Sequence, residues 1–215
     1  MANHILIADD HPLFRSAMMQ AILQIDPLAT ILEADSLAQT EETLKQTTSL
    51  SMLFLDLRMS DSQGLAGMLL IKAAHPKLPI VIVSASDDVS TIHAAIESGA
   101  MGYIIKSYSP EQISAAYAEI KTGEVHMPES VKNAIIHNEQ ISNSLDDFRA
   151  LTQTQLRVLV KMTNGLLNKQ IAGEMGITEA TVKSHVTEIL RKLNCRNRTQ
   201  AVVIAKELDV VLSDR

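Results

Sequence analysis

The sequence predicts a doubly wound α/β unit, a parallel (βα)5 sheet, followed by a small all-α domain of four helices. Three observations predict it. Short apolar runs alternate with amphipathic helical stretches through the first half, the pattern of successive βαβ units. Four of those runs end on polar groups of different kinds: Asp9-Asp10 after HILIA, Asp56 after MLFL, Ser84 after IVIV and Lys106 after GYII. In the last third, strand signals vanish and helical periodicity takes over.

The strands are expected at residues 4–8, 30–34, 52–55, 80–83 and 103–105, each followed by a helix. Asp35-Ser36 supplies a cap for the second helix. Gly99 closes the fourth, whose Val89, Ile92 and Ile96 share one face, and Pro110 with Glu111 opens the fifth, which Gly123 ends. The sheet unit is therefore assigned to residues 1–124. Residues 125–148, with Pro128, Asn, Ser and the acidic pair Asp146-Asp147 in place of steady periodicity, read as a linker with one helix around 129–138. The remainder, 149–215, holds helices at about 152–164, 168–175, 179–193 and 199–208.

At 215 residues and 46% hydrophobic content the chain suits two small domains, each with its own core. The net charge of -6 conceals a division. Residues 1–150 carry 9 Lys+Arg against 19 Asp+Glu, a difference of -10, and residues 151–215 carry 10 against 6, a difference of +4. The acidic part does not seek nucleic acid, and the basic part suits it. Cys195 is the single cysteine, so no internal disulfide forms, as in a reducing compartment. The first ten residues lack the basic region of a secretory signal, and no apolar run reaches the roughly 20 residues a membrane helix needs. A cytoplasmic protein without membrane contact is expected. The seven histidines show no zinc-ligand spacing, and 3% aromatic residues with no Trp argue against a stacking platform for single strands.

In a parallel sheet the residues just past the strand ends gather along one carboxyl edge. Asp9, Asp10 and Asp56 brought together there repel one another unless a hard divalent cation sits among them, and Mg2+ is the natural candidate. A carboxylate attacks a phosphoryl group to give an acyl phosphate, so Asp56 is the expected nucleophile. Lys106 stands as a fixed cation for a phosphoryl oxygen, and the Ser84 hydroxyl as a donor to another. His11 borders this set and suits a hydrogen bond rather than a reacting role.

In NKQIAGEMGITEATVKSHVTEILRKL an eight-residue helix runs into Gly176-Ile177, and Thr178 caps a second helix with Glu179 in its first turn. This is a helix-turn-helix pattern, with Ile171, Ala172, Val182, Val186 and Ile189 as its small core. Thr181, Lys183, Ser184 and Thr187 are left outward, short enough and polar enough to reach base edges or phosphates in a major groove. His185 has two readings, phosphate contact or local packing.

The strings ILIADDHPLFR and DLRMSDSQG, the pair Ser84-Ala85 and the segment GAMGYIIKS resemble the receiver domain of two-component response regulators. The resemblance implies that Asp10 ligates Mg2+ directly, Asp9 acts mainly through a bound water, Asp56 is the phosphoacceptor and the backbone carbonyl of Arg58 completes the metal site. It implies that Ser84, Lys106 and Tyr103 sense the phosphoryl group, with Tyr103 turning inward and repacking the face of the fourth helix, fifth strand and fifth helix. One departure is Ser60, where the family usually has Pro. The segment from Leu151 to Val202 resembles the DNA-binding domain of LuxR/NarL-type transcription factors. That pattern puts Lys183, Ser184 and Thr187 against bases and makes Thr181, Asn168, Lys169 and Arg198 phosphate candidates. Gln153 and Gln155 depart from it, replacing the usual Pro and acid.

The function expected is that of a response regulator: a sensor histidine kinase phosphorylates Asp56, which changes dimerisation and sequence-specific binding to double-stranded DNA. RNA polymerase is a further partner for such a regulator, and a homodimer is its expected active form. No enzymatic turnover is expected beyond self-phosphorylation and self-dephosphorylation at Asp56. An aspartate-nucleophile phosphatase is the competing class, but it usually carries a D-x-D string after its first strand, whereas Asp9 and Asp10 are adjacent and Asp56 follows the third. A nucleotide-binding enzyme lacks support because no G-x-G-x-x-G or Walker loop occurs. A regulator of the same fold controlled by protein contacts or a small ligand is opposed by the intact set Asp9, Asp10, Asp56, Ser84 and Lys106.

Overall fold

The computed structural model describes residues 3–47, 49–59, 61, 64–136, 148 and 150–210. It divides into two compact units, residues 1–139 and 140–215. The first contains β1 (His4–Ala8), α1 (Pro12–Ile25), β2 (Thr30–Ala34), α2 (Leu37–Gln46), β3 (Leu50–Asp56), α3 (Leu65–Ala74), β4 (Ile80–Ser84), α4 (Val89–Glu97), β5 (Gly102–Ile105), α5 (Pro110–Lys121) and α6 (Glu129–Ile136). All strands are parallel, in the order β2-β1-β3-β4-β5. The connections therefore reverse direction between β1 and β3, and the crevice at such a reversal is where doubly wound sheets bind ligands.

Strand residues alternate between two covered faces, which is why each strand reads as an unbroken apolar run. Ile5, Ile7, Phe54, Val81, Val83 and Ile104 point to the layer holding Met18, Ile22, Tyr117 and Ile120 of α1 and α5. Leu6, Leu53, Leu55 and Ile82, at the intervening positions, are fully buried as well. Two strands reach one residue beyond their apolar runs. Asp56 pairs with Val83, and Ser84 pairs with Ile105, so both polar groups are the last rungs of the ladder and inherit its rigidity. Helix starts follow the capping residues. Ser36 accepts from Gln39 N, Asp88 from Thr91 N, and Ser109 forms a reciprocal box with Gln112.

Beyond Gly123 the chain stays on this unit. Tyr103 N donates to the His126 carbonyl at 3.0 Å and His126 N donates to the Met101 carbonyl at 3.2 Å, so residue 126 lies against the free edge of β5. Gly102, opposite it, has no room for a side chain: a Cβ there would lie 2.7 Å from Ile120 Cδ1. Helix α6 then packs on α4. Helix α4 buries Thr91, Ala94 and Ala95 in addition to Ile92, a broader face than Val89, Ile92 and Ile96 alone. The compact unit thus extends past the 1–124 assigned from periodicity, because one β-bridge and a two-turn helix leave little repeating signal. Residues 137–138 of the expected linker helix, and Ser60, lie outside the described residues.

The second unit contains α7 (Gln153–Thr163), α8 (Asn168–Met175), α9 (Glu179–Lys192) and α10 (Arg198–Val210). Gly176 closes α8 at φ 65°, the left-handed conformation that glycine adopts without strain, and Ile177 N returns to the Ala172 carbonyl. Two residues later Thr178 accepts from Thr181 N and opens α9. Ile171, Val182 and Ile189 are fully buried, Ala172 nearly so and Val186 partly, so the expected small core is where α8 and α9 cross.

Candidate functional site

At the β1/β3 crevice Asp9, Asp10, His11 and Asp56 bring four ligand atoms within 4.8 Å of one another. Asp56 is wholly inaccessible and Asp9 is 1% exposed, whereas Asp10 is partly open. Lys106, at the end of β5, reaches across two strands: its Nζ stands 2.8 Å from Asp56 Oδ2 and 2.8 Å from Asp9 Oδ2. The other Asp56 oxygen, Oδ1, accepts from Arg58 N at 2.9 Å. His11 Nδ1 lies 2.6 Å from Asp10 Oδ1 and 3.1 Å from Asp9 Oδ1.

Burial pushes the Asp56 carboxyl up, against the opposing pull of Lys106 and of the Arg58 amide. For Lys106, burial acts downward, yet the bonds to Asp56 and Asp9 outweigh it and the net direction is up. One ammonium therefore faces two buried carboxylates, with a third at the pocket mouth. Asp9 Oδ2 is met by the Lys106 ammonium and Asp10 Oδ1 by the His11 ring, so three carboxylates share one lysine and one imidazole. A surplus of buried anionic oxygen in this arrangement fits a hard divalent cation.

Ser84 is buried at the end of β4, one position past the cross-strand partner of Asp56, and its Oγ accepts from Ser86 N at 3.3 Å. Tyr103 stands in the inward position that the expected switch would give it. It is already fully buried, and its hydroxyl donates to the Ser86 carbonyl at 3.0 Å. Its ionisation is pushed up to about 12 by burial, with Ser84 and Arg58 pulling the other way. The β4–β5 register sets Tyr103 beside Ile82, and its hydroxyl meets the Ser84–Asp88 loop. That loop also holds the α4 cap, since Ser86 Oγ accepts from Asp88 N. Two residues without an apparent sequence signal join the site's surroundings. Asp61, in the loop after β3, accepts from Leu37 N and Ala38 N at 2.7 and 2.9 Å, so it caps α2 from a distant segment. Arg15 donates to the Asp9 carbonyl and to Glu33.

In the second unit Thr181, Lys183, Ser184 and Thr187 are exposed along α9, as is Lys169 on α8. Lys183 pairs with Glu179 at 3.1 Å, Thr181 Oγ1 bonds Thr178 Oγ1 at 2.8 Å, and Thr187 Oγ1 donates back to the Lys183 carbonyl. His185 is half-buried. Arg198 and Asn168 are engaged with each other: the guanidinium donates to Asn168 Oδ1 at 2.8 Å and to the Leu166 carbonyl at 2.6 Å, fastening α10 to the start of α8. Gln155, nearly buried, accepts from Thr152 N and from Lys192 Nζ at 2.8 Å. Gln153 is the first residue of α7.

An acidic, lysine-bridged pocket at the switch point of a five-stranded parallel sheet, on a chain that also carries a helix-turn-helix unit, defines a two-domain transcription regulator. The chain belongs to the two-component response regulators with a LuxR-type DNA-binding domain: the response regulator receiver domain family matches residues 5–118, and the luxR family of bacterial regulatory proteins matches 149–205. The glycerol metabolism activator of Pseudomonas putida is 40% identical over 211 residues, covering 95% of this chain and 96% of that one. The nitrate/nitrite response regulator NarP of Escherichia coli K12 is 32% identical over 200 residues, 93% of each. In fold the chain is similar to the RcsB response regulator of Salmonella typhimurium, with a TM-score of 0.58 at 20% identity, covering 95% of this chain and 98% of that one.

Proposed function

We propose that this regulator is switched by phosphorylation of Asp56 and acts as a homodimer on double-stranded DNA. The observation that carries the reading is Lys106 bridging the buried Asp56 and Asp9 carboxylates at 2.8 Å, with the Asp10 carboxylate beside them. A sensor histidine kinase is the donor. An Asp56 oxygen attacks the phosphorus of a phosphohistidine, the P–N bond breaks and an acyl phosphate forms. Asp9, Asp10, Asp56 and the Arg58 carbonyl are the residues that would hold Mg2+, whose charge offsets that of the incoming phosphoryl oxygens. Lys106 moves from Asp56 to a phosphoryl oxygen and keeps its bond to Asp9, while Ser84 donates to a second oxygen. Because Ser84 Oγ holds Ser86 N, and Ser86 holds both Tyr103 and Asp88, a shift of Ser84 is passed to the cap of α4.

The output is DNA recognition by α9, with Lys183, Ser184 and Thr187 facing bases and Thr181, Lys169 and His185 near the backbone. RNA polymerase is the next partner in a cytoplasmic regulator of this kind. Asp56 chemistry is confined to the protein itself, without turnover of an external substrate. Incubation with a small phosphodonor and Mg2+ is expected to label the parent chain, and Asp56→Asn is expected to abolish the label. Equal labelling of the variant, or labelling without a divalent cation, overturns the assignment.

A further inference from the structure

We infer that Glu179 is a specificity-determining residue of the DNA interface: paired with Lys183, it reads the cytosine of a G·C base pair whose guanine the lysine contacts. The inference rests on the reading of α9 as the helix that enters the major groove. Glu179 is the first residue of α9, behind the Thr178 cap, and its side chain is 46% exposed. One turn on, Lys183 Nζ stands 3.1 Å from Glu179 Oε1. Thr187 follows at the same spacing, so the three side chains form one row along an exposed flank of α9, while the buried Val182 and Ile189 hold the helix to its core. The row begins at the amino end of the helix, the end that meets base edges in a helix-turn-helix. An acid in the first turn complements the helix dipole, but that role needs no lysine beside it. An exposed ion pair of this kind adds little to stability, so its two members are free to exchange each other for base edges.

An anion on a row that faces DNA is unfavourable beside the phosphates unless a base donor meets it. The major-groove edge of a G·C pair supplies both complements: guanine O6 and N7 accept, and cytosine N4 donates. These groups lie side by side, as the ammonium and the carboxylate do, so Lys183 donates to guanine while Glu179 accepts from cytosine N4. The reversed C·G pair sets the ammonium against an amino group and the carboxylate against two acceptors. The side-chain pair therefore fixes the direction of the base pair as well as its kind. A T·A pair keeps the sign at both edges but offers the lysine one acceptor where guanine offers two.

Selection of sites from random duplexes by the full-length regulator, treated with a small phosphodonor and Mg2+, gives the half-site, and Lys183→Ala marks the position that the lysine reads. The cytosine at that position is then replaced by pyrimidin-2-one, which still pairs with guanine but lacks the N4 amino group. Both duplexes are titrated with the parent, Glu179→Ala and Glu179→Gln, and the ratio of the two affinities within each protein cancels any general loss of binding or of duplex stability. The parent is expected to bind the substituted duplex about tenfold more weakly, the low end of a specific base contact. Glu179→Ala is expected to bind the two duplexes equally, and Glu179→Gln, a neutral acceptor, to fall between. Equal ratios in the parent and Glu179→Ala overturn the inference, as does a position marked by Lys183→Ala that is not G·C. A uniform drop with Lys183→Ala on every duplex puts the lysine on phosphate, which overturns the inference and leaves α9 in the groove. No effect of Lys183→Ala or Glu179→Ala on any duplex overturns the reading of α9 and the inference with it.

Discussion

Single side chains show how this chain balances charge in the interior. Gln155 stands where related domains carry an acid, and it still serves Thr152 N and the Lys192 ammonium, but as a neutral amide. Lys192 therefore sits partly buried on two neutral oxygens, Gln155 Oε1 and the Ala150 carbonyl. Gln155→Glu keeps the cap, places an anion in the first turn of α7 and pairs Lys192 with opposite charge. It is expected to stabilise the helical unit by about 0.5–1.5 kcal/mol, read from denaturation followed at amides of residues 150–210. A variant no more stable than the parent would show that desolvating the carboxylate cancels the gain. Asp26 is the opposite case. The hydrogen bond from Lys121, and then that from Asn3, hold its carboxyl below the ordinary 3.8. A depressed folded value means stability that is present above 3.8 and lost as pH falls through the folded value. Carboxyl NMR is expected to place the Asp26 midpoint below 3.8. Asp26→Asn is expected to lower stability at neutral pH, with the difference closing in strong acid; a midpoint at or above 3.8 contradicts the pairing.

The elements around β4 and β5 transmit what happens at Asp56. Tyr103 is buried, and its hydroxyl bond to Ser86, next to the α4 cap, can be tested apart from the position of the ring. Tyr103→Phe removes that bond and keeps the ring, avoiding the cavity that alanine would open at a cost of about 3–5 kcal/mol. Labelling of Asp56 is expected to stay near the parent level while the phosphorylation-dependent gain in DNA binding falls several-fold. An unchanged gain would remove the hydroxyl from the mechanism and leave the Asp88 cap as the remaining link. In this view α4 is governed from both ends of its packing, by the Ser84–Asp88 loop at its start and by α6 along its side.

Over the whole molecule, charge separates the two tasks: the difference of -10 over residues 1–150 keeps the regulatory part off DNA, and +4 over 151–215 draws the other part to it. One helix-turn-helix reads few base pairs, so specificity is expected from two copies on half-sites about one helical turn, ~34 Å, apart. Ala201, Val202, Ile204 and Ala205 of α10 mix buried and partly exposed apolar positions suited to that pairing; the Leu208 side chain lies outside the described residues. Lys183, 65% exposed and paired only with Glu179 among the described contacts, is the anchor to test. If it reads a base, Lys183→Ala is expected to cost roughly 1–3 kcal/mol on the specific duplex and relax preference at one position per half-site. If it holds phosphate, affinity drops alike on specific and scrambled duplexes and the salt dependence flattens by about one charge. Titrations at several salt concentrations separate the two, and no effect on either duplex places Lys183 outside the interface.

The features legible in the chain alone are those written locally. Unbroken apolar runs mark strands covered on both faces, Ser36, Pro110 and Thr178 mark helix starts, and Gly176 marks the turn before α9, because each signal is set by neighbours a few residues away. The polar strand ends told which groups meet at the crevice, since parallel topology leaves them one edge to share. Contacts between distant segments needed the folded chain. The Asp61 carboxylate over the start of α2, the bridge of His126 to Gly102, the inward Tyr103 and the Arg198–Asn168 clamp join residues 17 or more positions apart through one or two bonds each. A single hydrogen bond between remote positions imposes no periodicity and little compositional bias on the sequence around it, so its partner is chosen by packing of the completed sheet and helices.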